Sequence, residues 1–265
     1  MTGTVAAGRA PVHGTELYYE VAGEGEWMVL VHGGEGTRIH WWQQLAAFTP
    51  HYRCLTYDMR GFGSSAVGEP HLTDNPLRDD LLGLLAHLGI GRAVLVGHSM
   101  GGLAVSGVAQ AHPERARGLV MSDSPFGFAT AALAEWAGEM AAKIPAGFNV
   151  FDHLYAPGFA ARRPDLHYLY NALNRLSINE ELARGTEAYE AWAAQAPVDY
   201  ASFPVPTLFI VGAEDELTLP WLVRATAAAV GGCELVEVAH AGHSAYAEQA
   251  AAFNAAVLGF CRSLP

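Results

Sequence analysis

The chain is nearly without lysine: Lys143 is the only one among its 15 basic residues, against 27 aspartates and glutamates. The formal net charge is −12 and no basic block occurs anywhere, which argues against a nucleic-acid partner. Arginine in place of lysine, together with abundant alanine, is a composition that GC-rich bacterial coding favours. Cysteine is also scarce. Cys54, Cys233 and Cys261 are odd in number, far apart and never spaced as CxxC, so they read as buried thiols rather than as metal ligands or a disulfide frame. No apolar run approaches the roughly 18 residues that a membrane span requires. The first residues, "MTGTVAAGRAPVHG", lack the apolar core of a secretory leader, so the reducing cytoplasm is the expected compartment.

What remains is the composition of a globular protein, 51% hydrophobic and 16% charged over 265 residues. That length suits one large α/β domain carrying a smaller inserted piece. Residues 9–12 and 17–22 alternate around "HGT" and predict a β-hairpin. The runs "WMVLV" (27–31), "AVLV" (93–96) and "LFIV" (208–211) are continuously apolar, as strands buried on both faces are. Between them, residues 73–88, 101–112, 221–230 and 245–262 carry helical periodicity. Strands alternating with helices imply a mostly parallel central sheet with helices on both faces. The rhythm breaks after the sixth strand. Residues 125–202 hold helix-like pieces rich in alanine and aromatics and no convincing strand. The expected division is therefore a core of residues 1–124 and 203–265, with 125–202 as a helical insertion.

The strongest local signal is "VLVGHSMGGL" at 94–103, which contains G-x-S-x-G as Gly97-His98-Ser99-Met100-Gly101. An apolar strand precedes it and a helix follows. In that setting the motif is a strained strand–turn–helix that lifts a serine to the carboxyl end of a sheet, beside a helix N-terminus. A serine nucleophile needs a base, and the base needs an orienting carboxylate. Asp215 in "GAEDE" and His243 in "AHAGH" both follow strands, in the chain order serine, acid, histidine. Glu214, Glu216 and Asp123 remain rival acids at this stage, and His240 is a rival histidine expected to serve the structure.

Taken together, "HGG" at 32–34, "DMRGFGSS" at 58–65, "GHSMGG" at 97–102, "GAED" at 212–215 and "GHSAYAEQAAAF" at 242–253 resemble the α/β-hydrolase family over essentially the whole chain. Two departures are Glu35, where many relatives have proline, and Ala250, where the last helix commonly has one. The resemblance implies an α/β-hydrolase fold, Ser99 as nucleophile, Asp215 and His243 as its partners, and the backbone N–H groups of Gly34 and Met100 as the oxyanion hole. It makes 125–202 a cap over the pocket and calls for no cofactor or metal. Asp58 and Arg60 then pin a turn, and His98 packs beside the nucleophile.

The implied activity is hydrolysis of a carboxylic ester or lactone of a small to medium apolar substrate through an acyl-enzyme. Carbon–carbon bond hydrolysis of ring-cleavage products, cofactor-free haloperoxidase or perhydrolase activity, and a non-hydrolytic binding role are the alternatives. Glu35, Trp41, Trp42, Trp136, Tyr155 and Tyr168 are candidates for the pocket. Glu35 is the anomaly, because a carboxylate aimed at a developing oxyanion would oppose catalysis. It is therefore expected to point away or to be neutralised, with Arg38 as the nearest candidate partner.

Overall fold

The computed structural model describes residues 5–69, 73–143, 149–177, 196 and 198–265. Of the aromatics in 125–202, Phe148, Tyr189 and Trp192 lie outside the described residues.

Eight strands form one sheet: β1 (Ala6–Val12), β2 (Thr15–Ala22), β3 (Trp27–Val31), β4 (Arg53–Tyr57), β5 (Ala93–His98), β6 (Ala116–Ser122), β7 (Thr207–Gly212) and β8 (Glu234–Val238). Their spatial order is β1-β2-β4-β3-β5-β6-β7-β8. The hairpin forms as the alternation predicts, turning at His13 (φ 42°) and Gly14 (φ 74°), the two left-handed residues a tight hairpin needs. β2 runs antiparallel to both β1 and β4, while all pairs from β4 to β8 are parallel.

Side chains alternate across the sheet, and each face is apolar. Val29, Val31, Leu55, Leu95, Met121 and Phe209 enter one core with α2 (Pro76–His87), α3 (Gly101–Ala111) and α7 (Pro220–Ala229). Met28, Leu30, Val94, Val96, Val120 and Ile210 enter the other, under α1 (Trp42–Phe48) and α9 (Ala250–Ser263). Helices on both faces explain why these strands read as unbroken apolar runs. Cys54 and Cys261 are buried, Cys233 is half-buried, and all three thiols are free. Among the described residues no helix is long and apolar enough to cross a membrane.

The helices differ from the sequence reading mainly at their ends. α2 starts at Pro76 rather than at residue 73, because Asn75 caps it: its Oδ1 accepts from the Arg78 N–H at 2.9 Å. The last helical stretch is two elements, α8 (Ala245–Glu248) and α9, broken at Gln249. Between β6 and β7 the described residues form α4 (Ala131–Lys143), α5 (Phe159–Arg162), α6 (Pro164–Ser177) and a 3-10 turn at Val150–His153, with no strand among them.

Register decides what meets at the carboxyl edge. Val31 pairs with Gly97, His98 with Ser122, Ser122 with Ile210, and Gly212 with Val238. The loops after β3, β5, β6, β7 and β8 therefore emerge side by side.

Candidate active site

Ser99 follows β5 directly and has φ 47°, a left-handed backbone that a serine adopts only under constraint. The neighbouring chain supplies that constraint. The Ser99 N–H donates to the Ser122 carbonyl at 3.0 Å, and the Ser99 carbonyl accepts from Gly102 N–H and Ser124 Oγ, each at 2.8 Å. The flanking glycines are required by close approach. A Cβ at Gly97 would strike the Val105 side chain, and one at Gly101 would lie 2.6 Å from the His32 carbonyl oxygen.

His243 arrives from the loop after β8. Its Nε2 lies 2.9 Å from Ser99 Oγ, and its Nδ1 lies 2.9 Å from Asp215 Oδ2. All three residues are buried, with exposures of 7, 3 and 3% for Ser99, Asp215 and His243, so little water competes for these contacts. The other Asp215 oxygen, Oδ1, accepts from Leu217 N–H at 2.8 Å and Thr218 N–H at 2.9 Å. Those two donors fix the carboxylate and leave Oδ2 for the histidine. His243 must therefore donate from Nδ1 and accept at Nε2 from the serine hydroxyl. Burial pushes the His243 pKa down, but the charge of Asp215 and its hydrogen bond outweigh burial and raise it above 6.5. Ionised His243 cannot take the serine proton. The acid limb of kcat/KM should thus have its midpoint above pH 6.5 and fall tenfold per unit below it, as a pH–rate profile will read.

Comparison with known proteins fits this geometry. The model of the alpha/beta hydrolase family matches residues 28–256. This chain belongs to that family. The 3-oxoadipate enol-lactonase 2 of Acinetobacter baylyi is 28% identical over 257 residues, covering 91% of both chains. The enol-lactonase of Burkholderia xenovorans superposes with a TM-score of 0.77 at 29% identity, over 97% of this chain and 100% of that one. A thermophilic esterase from Thermogutta terrifontis gives 0.78 at 26% identity, over 97 and 98%.

In this hydrolase the rival acids have other places. Asp123 is fully buried at φ 46°, with Oδ1 accepting from Gly212 N–H at 2.7 Å and Oδ2 lying 3.0 Å from Ser122 Oγ. Glu216 pairs with His153 at 2.7 Å, and Glu214 lies 3.5 Å from His240. His240 is not the structural histidine expected of it. It sits past the strand end at φ 58°, and its side chain is 76% exposed. Gly242 matters through close approach: a Cβ there would lie 2.5 Å from Ala156 N.

The turn after β3 needs the largest correction. Arg38 does not reach Glu35. Its guanidinium binds Asp58 Oδ2 at 2.6 Å and Glu20 Oε1 at 2.8 Å, because the 3-10 turn it begins (Arg38–Trp41) points it toward β2 and β4. Asp58 and Arg60 do hold the 58–65 turn, through separate partners. Asp58 also accepts from Ser64 N–H, and Arg60 pairs with Asp80 on α2. Glu35 is 6% exposed, with its Oε1 3.1 Å from His98 Nδ1. Beside it, neither Gly34 nor Met100 donates its N–H to another protein group among the described residues.

The pocket candidates separate. Trp41 is fully buried, its ring tilted against Tyr246 at 4.9 Å and Phe253 at 6.3 Å, and is a core residue. Trp42 is 39% exposed at the start of α1. Tyr168 is 76% exposed and lines a surface cavity with Tyr155, Phe159 and Arg175 that includes none of Ser99, Asp215 and His243. Trp136 packs in a small cluster with Leu103 and Met100, close to the elbow. Tyr155 points its hydroxyl inward, accepting from Asn174 Nδ2 at 3.2 Å.

Sequence reasoning missed Glu248, whose only signal was its position five residues after His243. It is 6% exposed, and its two oxygens accept from Gly242 N–H at 2.7 Å and Ala156 N–H at 3.0 Å. It thus clasps the histidine loop to the 125–202 segment. Burial lifts its carboxyl to about 7 against the pull of those donors. Glu248→Gln turns an amide N–H toward one of them. It should lower stability by about 1–2 kcal/mol, read as a Tm drop of roughly 2–8 °C.

Proposed function

We propose that this hydrolase cleaves a carboxylic ester or lactone of a small to medium apolar substrate through an acyl-serine intermediate. The observation that carries the reading is the buried hydrogen-bonded series Ser99–His243–Asp215, at 2.9 Å in both links. His243 Nε2 takes the Ser99 proton as Oγ attacks the carbonyl carbon. Asp215 holds the ring and stabilises the imidazolium that forms. The tetrahedral oxyanion lies between the N–H groups of Gly34 and Met100, whose lack of other partners among the described residues supports that role. The intermediate collapses, and the imidazolium proton goes to the departing alkoxide. Water then gives a proton to His243 as it attacks the acyl carbon, and the imidazolium returns that proton to Ser99 Oγ as the acid leaves.

The relatives named as an esterase and enol-lactonases support acyl chemistry. Residues 125–202 serve as the cap, with Trp136 and Tyr155 as its contributions to the pocket wall. The free, mostly buried thiols suit a reducing cytoplasm.

A fluorophosphonate probe tests the core of this reading. Ser99 of the folded protein should carry the adduct, and its absence would sink the assignment. A panel of aryl esters, lactones and vinylogous diketones then decides the class. Turnover of the diketones alone would make the enzyme a carbon–carbon bond hydrolase.

A further inference from the structure

The chemistry just described leaves Glu35 without a task, although it is buried next to the proposed oxyanion donors. Its surroundings are built to hold it. Gly33 leaves open the volume in which Glu35 and His98 meet: a Cβ there would strike Glu35 Oε2 and lie 2.6 Å from His98 Nδ1. Among the described residues, Glu35 Oε1 and His98 Nδ1 have no partner but each other, and their 3.1 Å approach is that of an ion pair.

Three histidines surround Glu35 closely enough to feel its charge besides His243, and the hydrogen-bond pattern separates them. His32 Nε2 accepts from Met59 N–H at 2.9 Å while its Nδ1 donates to the Gly33 carbonyl at 2.7 Å, so that ring is neutral. His40 Nδ1 accepts from Thr37 N–H at 3.0 Å while its Nε2 donates to Asn174 Oδ1 at 2.8 Å, so it is neutral too. His98 alone faces acceptors at both nitrogens. Its Nε2 lies 2.8 Å from the His243 carbonyl oxygen, and its Nδ1 faces the Glu35 carboxylate. A ring placed between two acceptors needs two protons.

We infer that Glu35 and His98 form a buried carboxylate–imidazolium pair that acts as a positioning device for His243, holding its backbone carbonyl and balancing charge beside its ring. The inference rests on His243 serving as the base of Ser99. The His98 and His243 rings are 5.1 Å apart, so an unbalanced charge on either member of the pair would reach the base. The other groups facing His243 are Asp215 after β7, Asp123 after β6 and Ser99 after β5, while Tyr246 of α8 faces His98 at 4.8 Å. Burial opposes ionisation of both partners. Each partner's charge outweighs it, holding the Glu35 carboxyl below its usual range and His98 above its own.

Two readouts test the pair. In 15N-histidine NMR spectra of the whole protein at pH 7, both His98 nitrogens should be protonated, and Glu35→Gln should remove one of those protons. His98→Gln strands the Glu35 anion near His243 and stabilises its protonated form. The acid limb of Ser99 phosphonylation should then move up by about one pH unit. Adding Glu35→Gln to that variant should return the limb to its wild-type position. A singly protonated His98 in the wild type, or one common limb for all variants, overturns the inference. If His98→Gln does not fold, the spectra of the wild type and Glu35→Gln decide. Absence of a Ser99 adduct in the wild type would instead defeat the proposed function, and the spectra would still report the charge of His98.

Discussion

Ser99→Ala and Ser99→Gly are both expected to lower kcat by on the order of a million-fold, the scale of losing a serine nucleophile outright. Neither variant should react with a fluorophosphonate. The two should differ in stability. Ser99 holds φ 47°, where any Cβ is crowded by the backbone, and alanine keeps that Cβ while glycine removes it. The glycine variant should therefore unfold about 1 kcal/mol later than the alanine variant, or roughly 2–4 °C higher in Tm. Equal melting temperatures would mean that the elbow relaxes and that its strain is not imposed by the Ser122 and Ser124 contacts. Retained turnover in either variant would remove Ser99 from the chemistry.

Asp215→Asn should cost about ten-thousand-fold in kcat, for a reason of tautomers rather than of shape. The N–H groups of Leu217 and Thr218 both point at Oδ1 and will select the amide oxygen for that position. The amide NH2 then faces His243 Nδ1 and donates to it. His243 is forced to carry its proton on Nε2, where it can no longer accept from Ser99 Oγ. Asp123→Asn is the matched control. Burial first, and then the charge of Asp215, raise the Asp123 pKa well above that of an ordinary carboxylate, which disfavours its charged form. An asparagine keeps the shape, its amide oxygen can still accept from Gly212 N–H and its NH2 can face Ser122 Oγ, so turnover should stay within about tenfold. Steady-state rates of the two variants at pH 8 distinguish the carboxylates. A large loss in Asp123→Asn with Asp215→Asn near normal would reverse the assignment.

Much of this was readable along the chain. The apolar runs at β3, β5 and β7 and the helical period of α2 and α3 are local patterns, and they imply a parallel sheet with two covered faces. The glycines around Ser99 announce a turn too tight for side chains. Asp215 and His243 could be placed because each follows a strand whose carboxyl end must lie on the Ser99 side of a parallel sheet. Helix ends were less legible, since the Asn75 cap and the break at Gln249 depend on single side-chain contacts.

Contacts across the sequence were the hidden part. Glu35 has Arg38 three residues away, and on sequence distance that is the natural partner. In the fold Arg38 turns to Asp58 and Glu20, and Glu35 meets His98, 63 positions along the chain. Trp41 and Trp42 are adjacent and chemically identical, yet one is buried in the core and the other is on the surface. Glu248 showed no role until Gly242 and Ala156 converged on it. Sequence by itself determined the fold class, the serine elbow and the order in which Ser99, Asp215 and His243 follow their strands, because backbone sterics and hydrophobic period act between near neighbours. Only the tertiary structure decided which charges pair and which aromatics are covered, because burial and ion pairing depend on distance through space, and the register of eight strands sets that distance.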